Sequence, residues 1–186
     1  MEIGWAHRRR WARHPVASSG KRHKVLRVGL LTELQKLDPR AVQEYASAVV
    51  LAQIFEPPYA SDAEGGTPAP VLFDGPLRTD PRAGKAVSRA RVREGLKFSN
   101  GTPVTATLVA QSLSGVPSVA GLAAVSAEGE DVVFEMDRPS SRLASELCQR
   151  WCSIVLESDG GLYGTGPYAV APDTVPGRVH VVRNPN

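Results

Sequence analysis

The sequence has little of what most catalytic or metal-binding chemistry requires. It holds two cysteines, Cys148 and Cys152. Zinc sites usually take four ligands, and the nearest histidine in sequence is His180, so a thiolate metal site is disfavoured. The four-residue spacing of the two thiols suits one face of a helix, where they read as small buried hydrophobes. Gly-x-Ser-x-Gly, His-Glu-x-x-His and ligand-spaced cysteine clusters are all missing, which removes the motif-borne hydrolase and zinc-protease chemistries. Three of the four histidines (His7, His14, His23) lie in the first 24 residues, and His180 falls in an alternating, strand-like stretch. No window approaches the roughly 18 consecutive apolar residues of a membrane-spanning helix. Repeats and low-complexity tracts are also absent.

Charge is unevenly placed. The formal net charge is +3. Residues 1–24 carry Arg8, Arg9, Arg10, Arg13, Lys21, Arg22 and Lys24 against Glu2 alone; the remainder has 15 basic and 18 acidic side chains, about −3. The basicity therefore belongs to a tail, expected to be a disordered leader over 1–24, and not to the body. Contact with nucleic acid or anionic lipid is the other reading of such a run, but the body is slightly acidic and only Trp5 and Trp11 accompany the basic residues, so no nucleic-acid partner is expected. Arg8-Arg9-Arg10-Trp11 faintly suggests a twin-arginine start. The following Ala12–Gly20 stretch lacks the apolar core of a signal peptide, so the chain as written shows no export signal and no anchor.

What is present fits a folded body over 25–186, with 42% hydrophobic residues and many turns from 17 glycines and 15 prolines. Lys24–Leu31 reads as an early buried strand, and Leu37-Asp38-Pro39 as a turn. A helix is predicted from about Glu44 to Phe55, with Ala46, Val49, Val50 and Ile54 facing a core, stopped by Glu56-Pro57-Pro58. Residues 61–86 are rich in Gly and Pro and read as loop with one or two short strands. A strand over Ala86–Arg93 precedes an Asn100-Gly101 tight turn, after which Thr105 caps a helix to about Leu113, with Leu108, Val109 and Leu113 inward. Asp131–Met136 alternates, with Val132, Phe134 and Met136 on one face. A helix from about Ser141 to Trp151 is expected, carrying Leu143, Leu147 and Trp151 at four-residue spacing, and final strands are expected at Tyr168–Val170 and Arg178–Val182. Strands and helices mix without a regular βαβ repeat, which predicts a mixed α+β or irregular α/β architecture.

Three groups of residues, in order, resemble the peptide, nickel and oligosaccharide solute-binding proteins of ABC transporters (solute-binding family 5). The first is Leu26-Arg27-Val28-Gly29-Leu30 with Leu37-Asp38-Pro39 and Gln53-Ile54-Phe55-Glu56-Pro57. The second is Val92-Arg93-Glu94-Gly95-Leu96-Lys97-Phe98-Ser99-Asn100-Gly101-Thr102-Pro103-Val104-Thr105-Ala106. The third is Gly164-Thr165-Gly166-Pro167-Tyr168, closing with Val181-Val182-Arg183-Asn184-Pro185-Asn186. The third group is not a phosphate loop, because no Gly-Lys-Ser/Thr ending follows it.

The resemblance implies the first lobe of a type II periplasmic-binding-protein-like fold over 25–186, incomplete and without its second lobe. It implies a binding protein and not an enzyme, with no cofactor, metal or catalytic residue. Its implied partners are a peptide or other small solute, an ABC permease and a polypeptide supplying the second lobe. The implied location is periplasmic or cell-surface, or cytoplasmic if the chain truly starts at Met1. By the same resemblance the cleft-lining stretch just after Leu37-Asp38-Pro39 is Gln43, Glu44 and Tyr45, where Glu44 pairs with a ligand amine and Tyr45 stacks or hydrogen-bonds. These three also read as the exposed first turn of a helix. The departures are the loss of the acidic pair after Thr105-Ala106, a short Ser114–Ser126 section, and Asp74-Gly75-Pro76-Leu77-Arg78 where the family has a different stretch. The signature glycines and prolines are expected to act architecturally, by setting turns. The alternative function is a structural or interaction protein that dimerises or docks without binding solute, because an unpaired lobe exposes apolar surface.

Overall fold

A computed structural model describes residues 25–30, 34, 36–41, 44–61, 66–80, 86–116, 119–175 and 178–186. The basic tail expected over 1–24 lies outside the described residues.

Two hydrophobic clusters organise the chain. The larger is built on an antiparallel sheet of β3 (Arg78–Asp80), β4 (Ala86–Arg91), β6 (Asp131–Met136) and β5 (Leu122–Glu128), in the order β3-β4-β6-β5. Helix α2 (Ala106–Ser114) covers one face. The alternation in β6 behaves as expected: Val132, Phe134 and Met136 are buried under α2, which contributes Val109, Ala110 and Leu113. Each such large side chain removed from water is worth about 1.5–3 kcal/mol. Phe73 meets Phe134 edge-on at 6.4 Å and Tyr59 at 5.6 Å, and the Tyr59 hydroxyl donates to the Gly75 carbonyl at 3.0 Å. Val133 is also buried, on the opposite face, where its register neighbours are Arg89 and Ser126. Ion pairs Arg78–Asp131 (2.8 Å) and Arg89–Glu128 (2.6 Å) flank it, so that face is a charged surface laid over one apolar residue.

Local chemistry sets the ends of α2. The Thr105 hydroxyl accepts the Leu108 N–H at 3.3 Å, and Gly115 is the C-cap. Just upstream, the expected tight turn is present. Gly101 sits at φ +88°, its N–H donates to the Phe98 carbonyl at 2.8 Å, and the Phe98 N–H donates to Thr102 at 2.9 Å. Only glycine adopts that φ without steric cost.

The smaller cluster joins α1 (Tyr45–Leu51) to the two-stranded sheet of β9 (Tyr168–Val170) and β10 (Val181–Arg183). Leu51, Ile54, Phe55 and Val155 are buried at its centre, with Leu37, Val50, Leu162, Val170 and Val181 packed around them. The remaining described elements are two short antiparallel pairs, β1 (Tyr59–Ala60) with β2 (Ala69–Pro70) and β7 (Leu156–Ser158) with β8 (Gly161–Tyr163), and helix α3 (Leu143–Glu146) with a following 3-10 turn (Arg150–Cys152). The two clusters are tied by Ser112 of α2, whose buried hydroxyl accepts the Val155 N–H at 2.9 Å.

Three expectations are corrected. Val25–Leu30 is not a strand and is not buried: Leu26 is 86% and Val28 70% exposed. A strand forms only where a neighbour pairs with its backbone, and among the described residues none does. Helix α1 is shorter than Glu44–Phe55, and its inward residues are Ser47 and Leu51, followed by Ile54 and Phe55 in the turn beyond; Val49 points to solvent. The expected Ser141–Trp151 helix is broken at Gln149 (ψ 143°). The break lets the chain return to the 56–59 segment, where the Ile154 N–H donates to Glu56 at 2.9 Å and the Tyr59 N–H to Leu147 at 3.5 Å. Leu143 and Leu147 are buried. The cysteines, however, do not share a continuous helical face.

Candidate functional site

Three of the resemblance-bearing segments, Gln53–Pro57, the tight-turn stretch and the Gly164–Tyr168 stretch with the closing asparagines, converge at one junction beyond the C-terminal end of α1. The Gly166 N–H donates to the Ile54 carbonyl (2.9 Å) and the Tyr168 N–H to the Gln53 carbonyl (3.0 Å). The Thr165 hydroxyl donates to Glu56 Oε2 at 2.9 Å. The tight-turn segment joins through the Ser99 N–H, which donates to the Gly164 carbonyl at 2.9 Å. The last residues close the junction: buried Asn184 donates from Nδ2 to the Gly166 carbonyl (2.7 Å), and Asn186 donates from Nδ2 to the Phe98 carbonyl (3.1 Å). Burial pushes the Glu56 carboxyl above its ordinary range, against the opposing influence of the Thr165 hydrogen bond and the Arg93 charge.

This refines the expectation about the glycines. Gly95 and Gly101 do occupy the left-handed region. Gly164 and Gly166 are required by close approach instead. A Cβ on Gly164 would lie 2.0 Å from the Ile54 carbonyl oxygen, and one on Gly166 would lie 2.6 Å from that of Gln53.

The turn before α1 is held by its own charges. Asp38 accepts from Arg40 through Nε (2.9 Å), Nη2 (2.8 Å) and the backbone N–H (2.9 Å). Partial burial would raise the Asp38 carboxyl, but the Arg40 hydrogen bonds and charge outweigh it and leave it lowered. Of the residues implied to line a cleft, Gln43 lies outside the described residues. Glu44 is the N-cap residue of α1 and accepts a hydrogen bond from the Ser47 hydroxyl. Tyr45 is 84% exposed. Glu44 and Tyr45 thus sit together at the start of α1, next to the Asp38–Arg40 turn.

Sequence reasoning missed a cavity of about 160 Å3 beside α1, lined by residues that include Ala48, Leu51, Ala52 and Phe55, with Pro39 and Cys148. Its signal, small residues at helical spacing in Ala48 and Ala52, is common to packed helices and carries no specificity. Cys148 and Cys152 are free thiols. Cys152 is fully buried and its thiol is pushed up to about 12 by burial, then by Glu146 and Cys148; burial also raises Cys148. Both are poor nucleophiles. His180 is exposed, with Nδ1 2.7 Å from Asp173 Oδ1. Among the described residues no helix is long and apolar enough to cross a membrane.

This architecture is that of part of a periplasmic binding protein, in a mixed α/β fold. Solved structures share this fold over about four-fifths of the chain. They include a nickel ABC transporter protein from Bacillus halodurans, 26% identical with a TM-score of 0.66, covering 82% of this chain and 33% of that one. The pheromone receptor PrgZ, solved for its mode of peptide binding, is 19% identical with a TM-score of 0.69, covering 83% of this chain and 38% of that one. In sequence, the chain is 30% identical over 156 residues to the uncharacterized protein YhjP of Bacillus subtilis (strain 168), covering 77% of this chain and 26% of YhjP. The chain therefore spans about a quarter to two-fifths of the length of these relatives. No protein-family model matches it.

Proposed function

We propose that this chain is the first-lobe portion of an extracytoplasmic solute-binding component of an ABC-type importer, recognising a peptide or similar small solute and presenting it to a membrane permease. The reading assigns Gln43, Glu44 and Tyr45 to the solute-facing wall, with Glu44 meeting an amine and Tyr45 offering its ring and hydroxyl. Support comes from the shared fold and from the junction that draws Gln53–Glu56 of the first signature group together with the second and third.

The observation that carries the reading is the distribution of exposed apolar side chains. Among the described residues the large exposed ones are Val25, Leu26, Val28, Leu30, Tyr45, Val49, Tyr168, Val175 and Val182. All nine belong to the segments before Leu51 or after Gly166, and none to the four-stranded body. Four of them, Tyr45, Val49, Tyr168 and Val182, lie on α1, β9 and β10, the elements that build the smaller cluster, which supports a second body meeting that side, and binding sites of this kind lie between two bodies. The same observation favours a second reading, an interaction protein that docks or dimerises through this surface without solute.

Thermal unfolding of the purified chain with and without a pool of short peptides separates the two. A ligand at about 100 times its Kd adds about 2.7 kcal/mol to the folded state. An upward shift that Tyr45→Ala removes is the expected result. A cooperative melt with no shift, in a chain that self-associates or captures a second-lobe polypeptide, would replace the solute-binding reading with the interaction reading.

A further inference from the structure

The Asn100-Gly101 turn carries chemistry that solute binding does not use. An asparagine followed by glycine can cyclise. The glycine amide nitrogen, once it loses its hydrogen, attacks the carbonyl carbon of the asparagine side chain. Glycine permits this approach because no Cβ obstructs it. Asn100 is exposed, and a Cβ on Gly101 would meet nothing within 4 Å, so water reaches the turn. Asn184 differs: it precedes Pro185, whose nitrogen has no hydrogen to lose.

The fold opposes cyclisation at both reacting groups. The Gly101 N–H donates to the Phe98 carbonyl at 2.8 Å, which holds the hydrogen on the nitrogen. Asn100 Oδ1 accepts the Thr102 N–H at 3.1 Å, which ties down the carboxamide. The turn is in turn anchored on both sides. Buried Phe98 donates its N–H to Thr102 (2.9 Å), and the Val104 N–H donates to Leu96 (2.9 Å). The Ser99 N–H reaches the Gly164 carbonyl (2.9 Å), and Asn186 Nδ2 donates to the Phe98 carbonyl (3.1 Å). Freeing the turn therefore means undocking it from the Gly164 junction.

We propose that Asn100 is a self-modification site gated by this junction: it persists while the turn is docked and deamidates when the turn opens. In the step, the Gly101 nitrogen bonds to Asn100 Cγ and ammonia leaves, giving a cyclic imide. Water then adds to one ring carbonyl and breaks its bond to the Gly101 nitrogen. Attack at the side-chain carbonyl leaves aspartate at this position. Attack at the main-chain carbonyl leaves isoaspartate, whose backbone runs through the side-chain carbon and is one methylene longer. The reaction consumes only water. Aspartate keeps an oxygen for the Thr102 N–H. Isoaspartate displaces Gly101 from Phe98, so the turn cannot close and Ser99 and Asn186 lose their docking. The product thus marks, irreversibly, a chain whose junction has opened. None of this depends on the solute-facing wall at α1.

The test incubates the full chain at mildly alkaline pH, in buffer and in guanidinium chloride. Peptide mass spectrometry follows the replacement of the Asn100 amide by acid, and an isoaspartate methyltransferase reports isoaspartate. The folded chain should react at least about tenfold more slowly, the population cost of breaking two hydrogen bonds. Gly164→Ala, which pushes away the segment that holds Ser99, should raise the rate in buffer; Tyr45→Ala should not. Asn100→Asp should melt like the parent, and the isoaspartate form, separated by chromatography, should melt lower. Equal rates in buffer and denaturant overturn the gating, and no reaction in denaturant overturns the site. An isoaspartate form that melts like Asn100→Asp overturns the loss of docking. Should Gly164→Ala fail to fold, the parent's two rates decide the matter.

Discussion

Replacing Gly164 with alanine tests the junction most directly. The added Cβ would stand 2.0 Å from the Ile54 carbonyl oxygen, 2.7 Å from Phe55 Cδ1 and 2.8 Å from the Ile54 carbonyl carbon. Two of these atoms are backbone, and the third belongs to a ring that is 1% exposed, so none can swing aside. Overpacking of this kind costs about 1–3 kcal/mol. Relief requires the 164–166 segment to move away from α1. That stretches the Gly166 N–H to Ile54 bond, worth about 1 kcal/mol. The expected loss is therefore about 2–4 kcal/mol, and for a domain of this size each kcal/mol lowers Tm by about 2–4 °C. The control is Gly75→Ala, where a Cβ meets nothing within 4 Å and φ is not left-handed. That variant should be neutral or slightly more stable. Urea unfolding followed by tryptophan fluorescence measures both. If Gly164→Ala unfolds at the same urea midpoint as Gly75→Ala, the close approach does not exist and the convergence of the signatures fails with it.

Glu56→Gln should change how stability depends on pH. The Glu56 carboxyl is raised in the folded state, so its contribution is greatest below its unfolded value and is lost as pH rises through the folded value. The variant stays neutral, so its Tm relative to the parent should be higher above that window than below it; a constant difference would remove burial as the cause. Cys152, buried with its thiol pushed up to about 12, should resist a thiol reagent at pH 8 until denaturant is added, while Cys148 at the cavity reacts first; equal rapid labelling of both in the native chain would contradict this packing. Thr105→Ala removes the hydroxyl that accepts the Leu108 N–H and should cost about 1 kcal/mol in urea unfolding, with Thr105→Ser recovering most of it.

Elements whose periodicity and caps agree were legible before any coordinates. Thr105, the Asn100-Gly101 turn and the alternation of Val132, Phe134 and Met136 each state their structure locally, and packing did not overrule them. The failures have a common cause. Val25–Leu30 carries strand composition, but a strand depends on a neighbour's backbone that the segment cannot encode. The four-residue spacing of Leu143, Leu147 and Trp151 suggested one helix, yet the hydrogen bonds from Ile154 to Glu56 and from Tyr59 to Leu147 bend the chain at Gln149. In α1 the inward position is Ser47, whose hydroxyl is satisfied by Glu44, so a polar residue occupies a core site that hydropathy assigned to Val49.

The candidate sites divide in a similar way, and the division explains what motifs of this kind report. Gly164, Gly166, Glu56, Ser99 and Asn184 recur in one pattern because each contributes an atom, or the absence of one, to the same junction. A larger residue at either glycine collides with the backbone beyond α1, and a shorter one at Asn184 leaves the Gly166 carbonyl unpaired. None of these constraints involves solute. Groups that would meet a solute face outward, as Tyr45 does, and face no such penalty for change. The residues that make the fold recognisable are therefore those least informative about its ligand. On the proposed reading, ligand identity would rest on exposed side chains at the start of α1, such as Tyr45.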